Sequence, residues 1–177
     1  MFDAMARVNL IKKDADMKEL EYSKAGRTDK QVSAAGNVIA IKLFISEAEE
    51  KDLVKRINSA LPDDIMLTGS VKVDLSFDAR HSCRGRHYKH FFFTENLDLD
   101  KMREAAKLLE GKHDFRRFCK MQPKYKENGT ERTIFEASIV ETKESAKFLP
   151  MAYFNCRGSG FLWHQVSLSD SLYLIRA

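Results

Sequence analysis

Apolar positions in this chain follow two different periods, and the switches between them mark its elements. Phe2, Met5, Ala6 and Leu10 recur at helical spacing and predict a helix over residues 1–13. The run Val38-Ile-Ala-Ile-Lys-Leu-Phe44 is β-branched and mostly apolar, the composition of a strand. Ser46-Glu-Ala-Glu49 has the form of a capping box, and Leu53, Val54, Ile57 and Leu61 then mark the buried face of a helix that stops near Pro62. From Ile65 to Leu75 the period shortens to two, with Val71, Val73 and Leu75 on one side. A loop over residues 76–86 leads to another strand, His87 to Phe93. Leu99, Met102, Ala106 and Leu109 predict a helix ended by Gly111. Thr130 to Glu141 and Met151 to Cys156 predict strands, and the polar, glycine-containing stretch from Gln122 to Arg132 predicts an exposed loop. Gly158-Ser-Gly160 marks the entry to a short helix carrying Phe161, Trp163 and His164.

Strands and helices therefore alternate in two rounds. That order predicts an α+β protein: a mostly antiparallel sheet with helices on one face and the other face open for a ligand. The length of 177 residues suits one full core or two small subdomains sharing a cleft. With 44% hydrophobic and 32% charged residues the composition is that of a globular domain. Neither a membrane-spanning apolar run nor a signal-peptide layout is present, so the expected compartment is cytoplasmic or nuclear. Cys83, Cys119 and Cys156 lie far apart and form no Cys-x-x-Cys pair, which predicts reduced thiols and no structural metal site.

Charge changes the picture more than composition does. The net +4 is modest, but between Arg80 and His90 the residues Arg80, Arg84, Arg86 and Lys89 meet no acid. Between Lys112 and Lys126 the residues Lys112, Arg116, Arg117, Lys120, Lys124 and Lys126 meet only Asp114. Each block is either a solvated face or, with Tyr88, Phe115, Phe118 and Tyr125 interleaved, a nucleic-acid surface offering phosphate contacts and stacking.

One acid stands apart. Asp29 lies in the small-residue loop Tyr22-Ser-Lys-Ala-Gly-Arg-Thr-Asp-Lys-Gln-Val-Ser-Ala34, directly ahead of the first strand. Gly26 permits a tight turn there, and Arg27 and Lys30 bracket the acid with positive charge, which favours the carboxylate. Asp29 is thus either an Asx-turn residue or a displayed reactive acid.

Four motifs in order tip that balance. The loop just quoted, Phe77-Asp-Ala-Arg-His-Ser-Cys-Arg-Gly-Arg-His-Tyr-Lys89, Gly111-Lys-His-Asp-Phe-Arg-Arg-Phe-Cys-Lys-Met121 and Gly158-Ser-Gly-Phe-Leu-Trp-His-Gln-Val166 resemble the TruA-type tRNA pseudouridine synthases, in particular their eukaryotic branch acting on positions 38 and 39. The resemblance covers about residues 2–166. It implies the pseudouridine synthase fold with an RNA-binding cleft, present here as a partial domain: an N-terminal half to about residue 95, a C-terminal half over 96–166, and an atypical tail over 167–177. It implies isomerisation of uridine to pseudouridine in the tRNA anticodon arm, with no cofactor and no metal. Asp29 then falls on the catalytic aspartate, as nucleophile or as base. Arg27 and Tyr88 fall on substrate-binding positions, with Lys24 and Lys30 beside them. Arg80, Arg84, Arg86, Arg116, Arg117 and Lys120 would follow the RNA backbone. The expected partner is tRNA, and bacterial relatives make a homodimer an analogy.

The chain also departs from that family. Gln31 stands where a small residue is usual, the start lacks a strand and turn expected ahead of the first helix, and Ser167 occupies the place of an arginine expected to pair with the catalytic aspartate. The chain is expected to be shortened at both ends, and the alternative function is a catalytically impaired tRNA-binding module.

Overall fold

The computed structural model describes residues 1–29, 32–123, 125, 129–142 and 150–166. The chain divides into two compact units, Met1–Cys83 and Arg84–Ala177.

The first unit opens with α1 (Phe2–Arg7), which buries Ala4 and Met5. It is shorter than the apolar spacing predicts because Asn9 adopts a left-handed φ of 57°. Leu10 still reaches the core through a bond from its N–H to the Met5 carbonyl at 2.9 Å. Strands β1 (Ser23–Lys24) and β2 (Ile39–Ala40) form a small antiparallel ladder. The predicted strand over 38–44 is thus reduced to two residues, although Ile39, Ile41 and Ile45 still pack against Met5, Leu10 and Ile57. The Ser46–Glu49 capping box forms as expected and starts α2 (Glu47–Lys51). Asp52, at φ −103° and ψ 5°, breaks the single helix expected there, and α3 (Leu53–Asn58) follows. Arg56 ties these pieces together, donating to the Val8 carbonyl at 2.8 Å and to Glu49 at 3.2 Å.

No strand forms over 65–75. The Asn58 side chain instead grips the backbone of Leu67 in both directions, at 2.8 and 2.9 Å, and Val71 and Leu75 stand exposed. Alternation supplies a sided strand, but a strand also needs a neighbour to satisfy its backbone. No ladder partner is assigned to this stretch among the described residues.

The second unit is built on a four-stranded antiparallel sheet in the order β3 (Arg86–Phe93), β6 (Met151–Gly158), β5 (Glu131–Glu141), β4 (Gly111–Asp114). Helix α4 (Leu99–Lys107) is capped by Asp98, which accepts from Lys101 N–H at 3.0 Å. The helix buries Met102 and Ala106 on the predicted stripe, against a core with Phe115, Ile134, Ala137, Ile139, Phe154 and Cys156. Gly111, expected to end the helix, has already entered β4, its φ of 97° turning the chain into a strand that periodicity did not signal. A bulge at Phe135 separates the pairs Ile134↔Gly158 and Glu136↔Arg157. Trp163 and His164 instead form a turn, and helical backbone begins only at Gln165. The loop expected over 122–132 gives up Glu131 and Arg132 to β5, and its Tyr125 is buried.

Register assigns the faces. Tyr88 pairs with Cys156 and shares its side of the sheet with Phe154, whereas Lys89, Phe91 and Tyr153 lie on the opposite side. That opposite side is the open one: Lys89 Nζ sits 4.7 Å from the Tyr153 ring centroid, and the Phe91 ring lies 5.2 Å from Tyr153. Burial pushes the Cys156 thiol up to about 12 and raises Cys119 as well, so these two cysteines serve packing. Among the described residues no helix is long and apolar enough to cross a membrane.

Phe154 is fully buried and Phe93 is 52% exposed. Phe154→Ala should therefore cost about 3–5 kcal/mol of stability, and Phe93→Ala about 1 kcal/mol or less, in urea unfolding followed by circular dichroism.

Candidate active site

Ser23 and Lys24 pair with Ala40 and Ile39, which brings the two ends of the acid loop together. Ala25 N–H continues the ladder to the Val38 carbonyl at 2.8 Å. Asn37 then closes the neck: its Oδ1 accepts from Gly26 N–H at 3.2 Å, and its Nδ2 donates to the Gly26 carbonyl at 3.1 Å. Beyond this clamp the chain projects Arg27, Thr28 and Asp29, all exposed, and the Asp29 carbonyl accepts from Val32 N–H at 3.1 Å. Lys24 is exposed on β1. Lys30 and Gln31 lie outside the described residues.

The second motif is bound to the same hairpin. Ser23 Oγ accepts from Ala79 N–H at 2.9 Å. Asp78 shapes the turn that follows, its Oδ1 accepting from Arg80 N–H at 2.8 Å and His81 N–H at 2.7 Å. Asp29, Arg27, Lys24 and Arg80 thus belong to one connected set of loops in the first unit. An open depression of about 470 Å³ lined by Lys18, Glu21, Tyr22, Phe77 and Asp78 adjoins them, and burial raises the Tyr22 hydroxyl above its ordinary value.

The other candidates lie in the second unit. Tyr88 is half-buried, its ring edge-on to Phe161 at 4.9 Å. Arg86, two residues earlier, reaches the Ser159 carbonyl at 3.5 Å, so β3 and the 159–161 turn form one cluster. Gly85 and Gly158 allow that approach, since a Cβ at Gly158 would meet the Thr133 carbonyl oxygen at 2.9 Å. Arg84, Arg117 and Lys120 are exposed.

Arg116 differs from its neighbours. Its Nε and Nη2 grip Asp114 Oδ2 at 2.7 and 2.5 Å, while Thr130 Oγ1 donates to Asp114 Oδ1. The Arg116 bonds, with that of Thr130 next, hold the Asp114 carboxyl down at about 2. This charge is already engaged, as is Lys112 with Glu131 at 3.2 Å, which leaves Arg117 and Lys120 as the freer cations among the described residues of the second basic block. Sequence reading missed this pair, and it missed Asn37 and Ser23. Asn37 carried a readable cue, a turn-forming asparagine after Gly36 at the head of a strand. The bonds of Ser23 and Thr130 connect distant segments, and no local pattern announces those. Ser167 lies outside the described residues.

A carboxyl held at about 2 against an ordinary 3.8 stabilises the fold when ionised. That contribution is complete above about pH 4 and disappears as the pH falls through about 2. Asp114→Asn should therefore lower the melting temperature at pH 6, and the gap to the parent should close as thermal scans are moved from pH 4 towards pH 2.

Residues 105–169 match the family model described as tRNA pseudouridine synthase. The tRNA pseudouridine(38/39) synthase of Saccharomyces cerevisiae is 34% identical over 178 residues, covering 94% of this chain and 39% of the relative. The human tRNA pseudouridine(38/39) synthase is 32% identical over 190 residues, with the same two shares. The tRNA pseudouridine synthase A of Methanosarcina acetivorans is 35% identical over 166 residues, with 94% of this chain and 56% of the relative covered. The chain thus spans about two fifths to just over half the length of these relatives. Each of these alignments takes in 94% of the chain, and it is to the tRNA pseudouridine synthases that the chain is similar.

Proposed function

We infer that this chain isomerises uridine to pseudouridine in tRNA, at positions 38 and 39 of the anticodon arm, with Asp29 as the catalytic carboxylate. The observation that carries the reading is the hairpin of the first unit, in which paired strands and the Asn37 clamp present an exposed acid on a fixed neck. An acid held this way is preorganised for work on a bound nucleotide. Relatives named for this activity align with 94% of the chain, which supports the assignment.

The chemistry balances without an external reagent. The glycosidic bond breaks, the freed uracil turns, C5 bonds to the sugar and loses its proton, and the ring nitrogen that left the sugar takes a proton. A carboxylate starts this by attack on the sugar or base, or by removing a sugar proton. Tyr88, edge-on to Phe161, offers a ring to stack on the uracil and an oxygen to assist loss of the C5 proton. Extruding a stacked base costs a few kcal/mol. Arg27, exposed two residues before the acid, would hold the phosphate of the flipped nucleotide or fill the space it leaves. Lys24, Lys30, Arg80, Arg84, Arg86, Arg117 and Lys120 would follow the tRNA backbone, with Arg116 contributing less because Asp114 holds it. The same reading takes a homodimer as the assembly and cytoplasm or nucleus as the compartment.

Tritium release from tRNA carrying 5-tritiated uridine tests the assignment. Asp29→Asn should lower release about a hundredfold or more while tRNA affinity stays within about twofold, since the amide keeps the shape and loses the reactive oxygen. Release near the parent rate in that variant would remove Asp29 from its role. A parent that binds tRNA and releases no tritium would identify a binding module instead.

A further inference from the structure

Between two buried anchors, Leu162 and Gln165, the chain carries the half-buried Trp163 and the exposed His164. The turn is held firmly. Leu162 N–H donates to Gln165 Oε1 at 2.8 Å, and Gln165 is 2% exposed. Both backbone polar groups of Trp163 are engaged, its N–H donating to Tyr125 Oη at 2.8 Å and its carbonyl accepting from Lys120 N–H at 3.0 Å. His164 adopts a left-handed φ of 61°, a conformation that costs energy in any residue with a side chain.

The turn leaves a half-buried indole in a basic setting. Lys120 Nζ lies 4.6 Å from the Trp163 ring centroid, and the His164 ring meets the indole at 4.7 Å and 65°. Arg117 is exposed on the same basic segment, and the nearby acid Asp114 is neutralised by Arg116.

We propose that Trp163, with Lys120 against its ring, seats an unpaired base of the RNA substrate, in addition to the uridine that reacts. The indole face stacks on any base, the ammonium supplies the charge for the adjoining phosphate, and the fixed backbone lowers the ordering cost of binding. RNA is read in this way at loops, where bases leave the helix and stack on aromatic side chains. The proposal rests on tRNA being the substrate.

Trp163 is the single tryptophan of the chain, so its emission reports the seat directly. The chain is titrated with an end-labelled anticodon stem-loop RNA and with a blunt duplex of the same stem, following indole emission and label anisotropy together. The stem-loop should quench the emission in step with the anisotropy rise, and the duplex should raise anisotropy with little quenching. Trp163→Ala should weaken stem-loop affinity about tenfold without changing its salt slope, and Trp163→Phe should restore most of that affinity. Lys120→Gln should instead lower the slope of log affinity against log salt by about 0.7–0.9. Binding by anisotropy with unchanged emission, or equal affinity for the parent and a folded Trp163→Ala, overturns the seat and leaves the function reading standing. Absence of any RNA binding by the parent overturns both. Should Trp163→Ala fail to fold, the parent's quenching and the Trp163→Phe affinity decide.

Discussion

Strand β6 is the constraint on which the second unit depends. It is paired along its whole length with β3 on one side and along seven registers with β5 on the other, and Ala152, Phe154 and Cys156 put its apolar side into the core. Its last residue, Gly158, passes so close to Thr133 and Ile134 that no side chain fits. The strand therefore ends in a fixed place and direction. The segment over 159–166, with the cluster of Arg86, Tyr88 and Phe161 and the half-buried Trp163, is placed by that ending.

The first unit solves a harder problem with fewer apolar contacts. Its core gathers Met5, Leu10 and Ile57 with a ring of half-buried aliphatics, and its ladder is two residues long. Polar side chains replace the missing backbone pairing. Asn37 clamps Gly26, Asn58 clamps Leu67, and Ser23 catches Ala79. Such bonds each add about 1 kcal/mol, enough to fix loop geometry and too little to define a rigid sheet.

These two designs explain what was legible in the sequence. The stripe Leu99, Met102, Ala106, the capping box at Ser46 and strands β3, β5 and β6 follow from local period and composition, and the structure builds them close to the expected bounds. Strand β4 was hidden because Gly111-Lys-His-Asp114 is exposed at every position, leaving no alternation to read. Asp29 and Tyr88 were singled out as candidates through motif resemblance, and Asp29 also through its charge setting. Their supports were not, because Asn37, Ser23 and Thr130 act across gaps in sequence. Trp163 and Lys120 lay in motifs already noted, yet their stacking depends on Tyr125, thirty-eight positions from Trp163.

The stretch over 65–75 has a consequence for how the molecule behaves among its own kind. It carries Val71, Val73 and Leu75 exposed at strand spacing, with a backbone that no ladder covers among the described residues. A segment of that type is a template for adding a strand from another chain, which leads to sticking at high concentration. Lys72 and Asp74 interrupt its apolar run with one charge of each sign. They act as gatekeepers on the open edge: a neighbour that tries to align there must accommodate both charges, so solubility in this region depends on two residues that contribute nothing to the core.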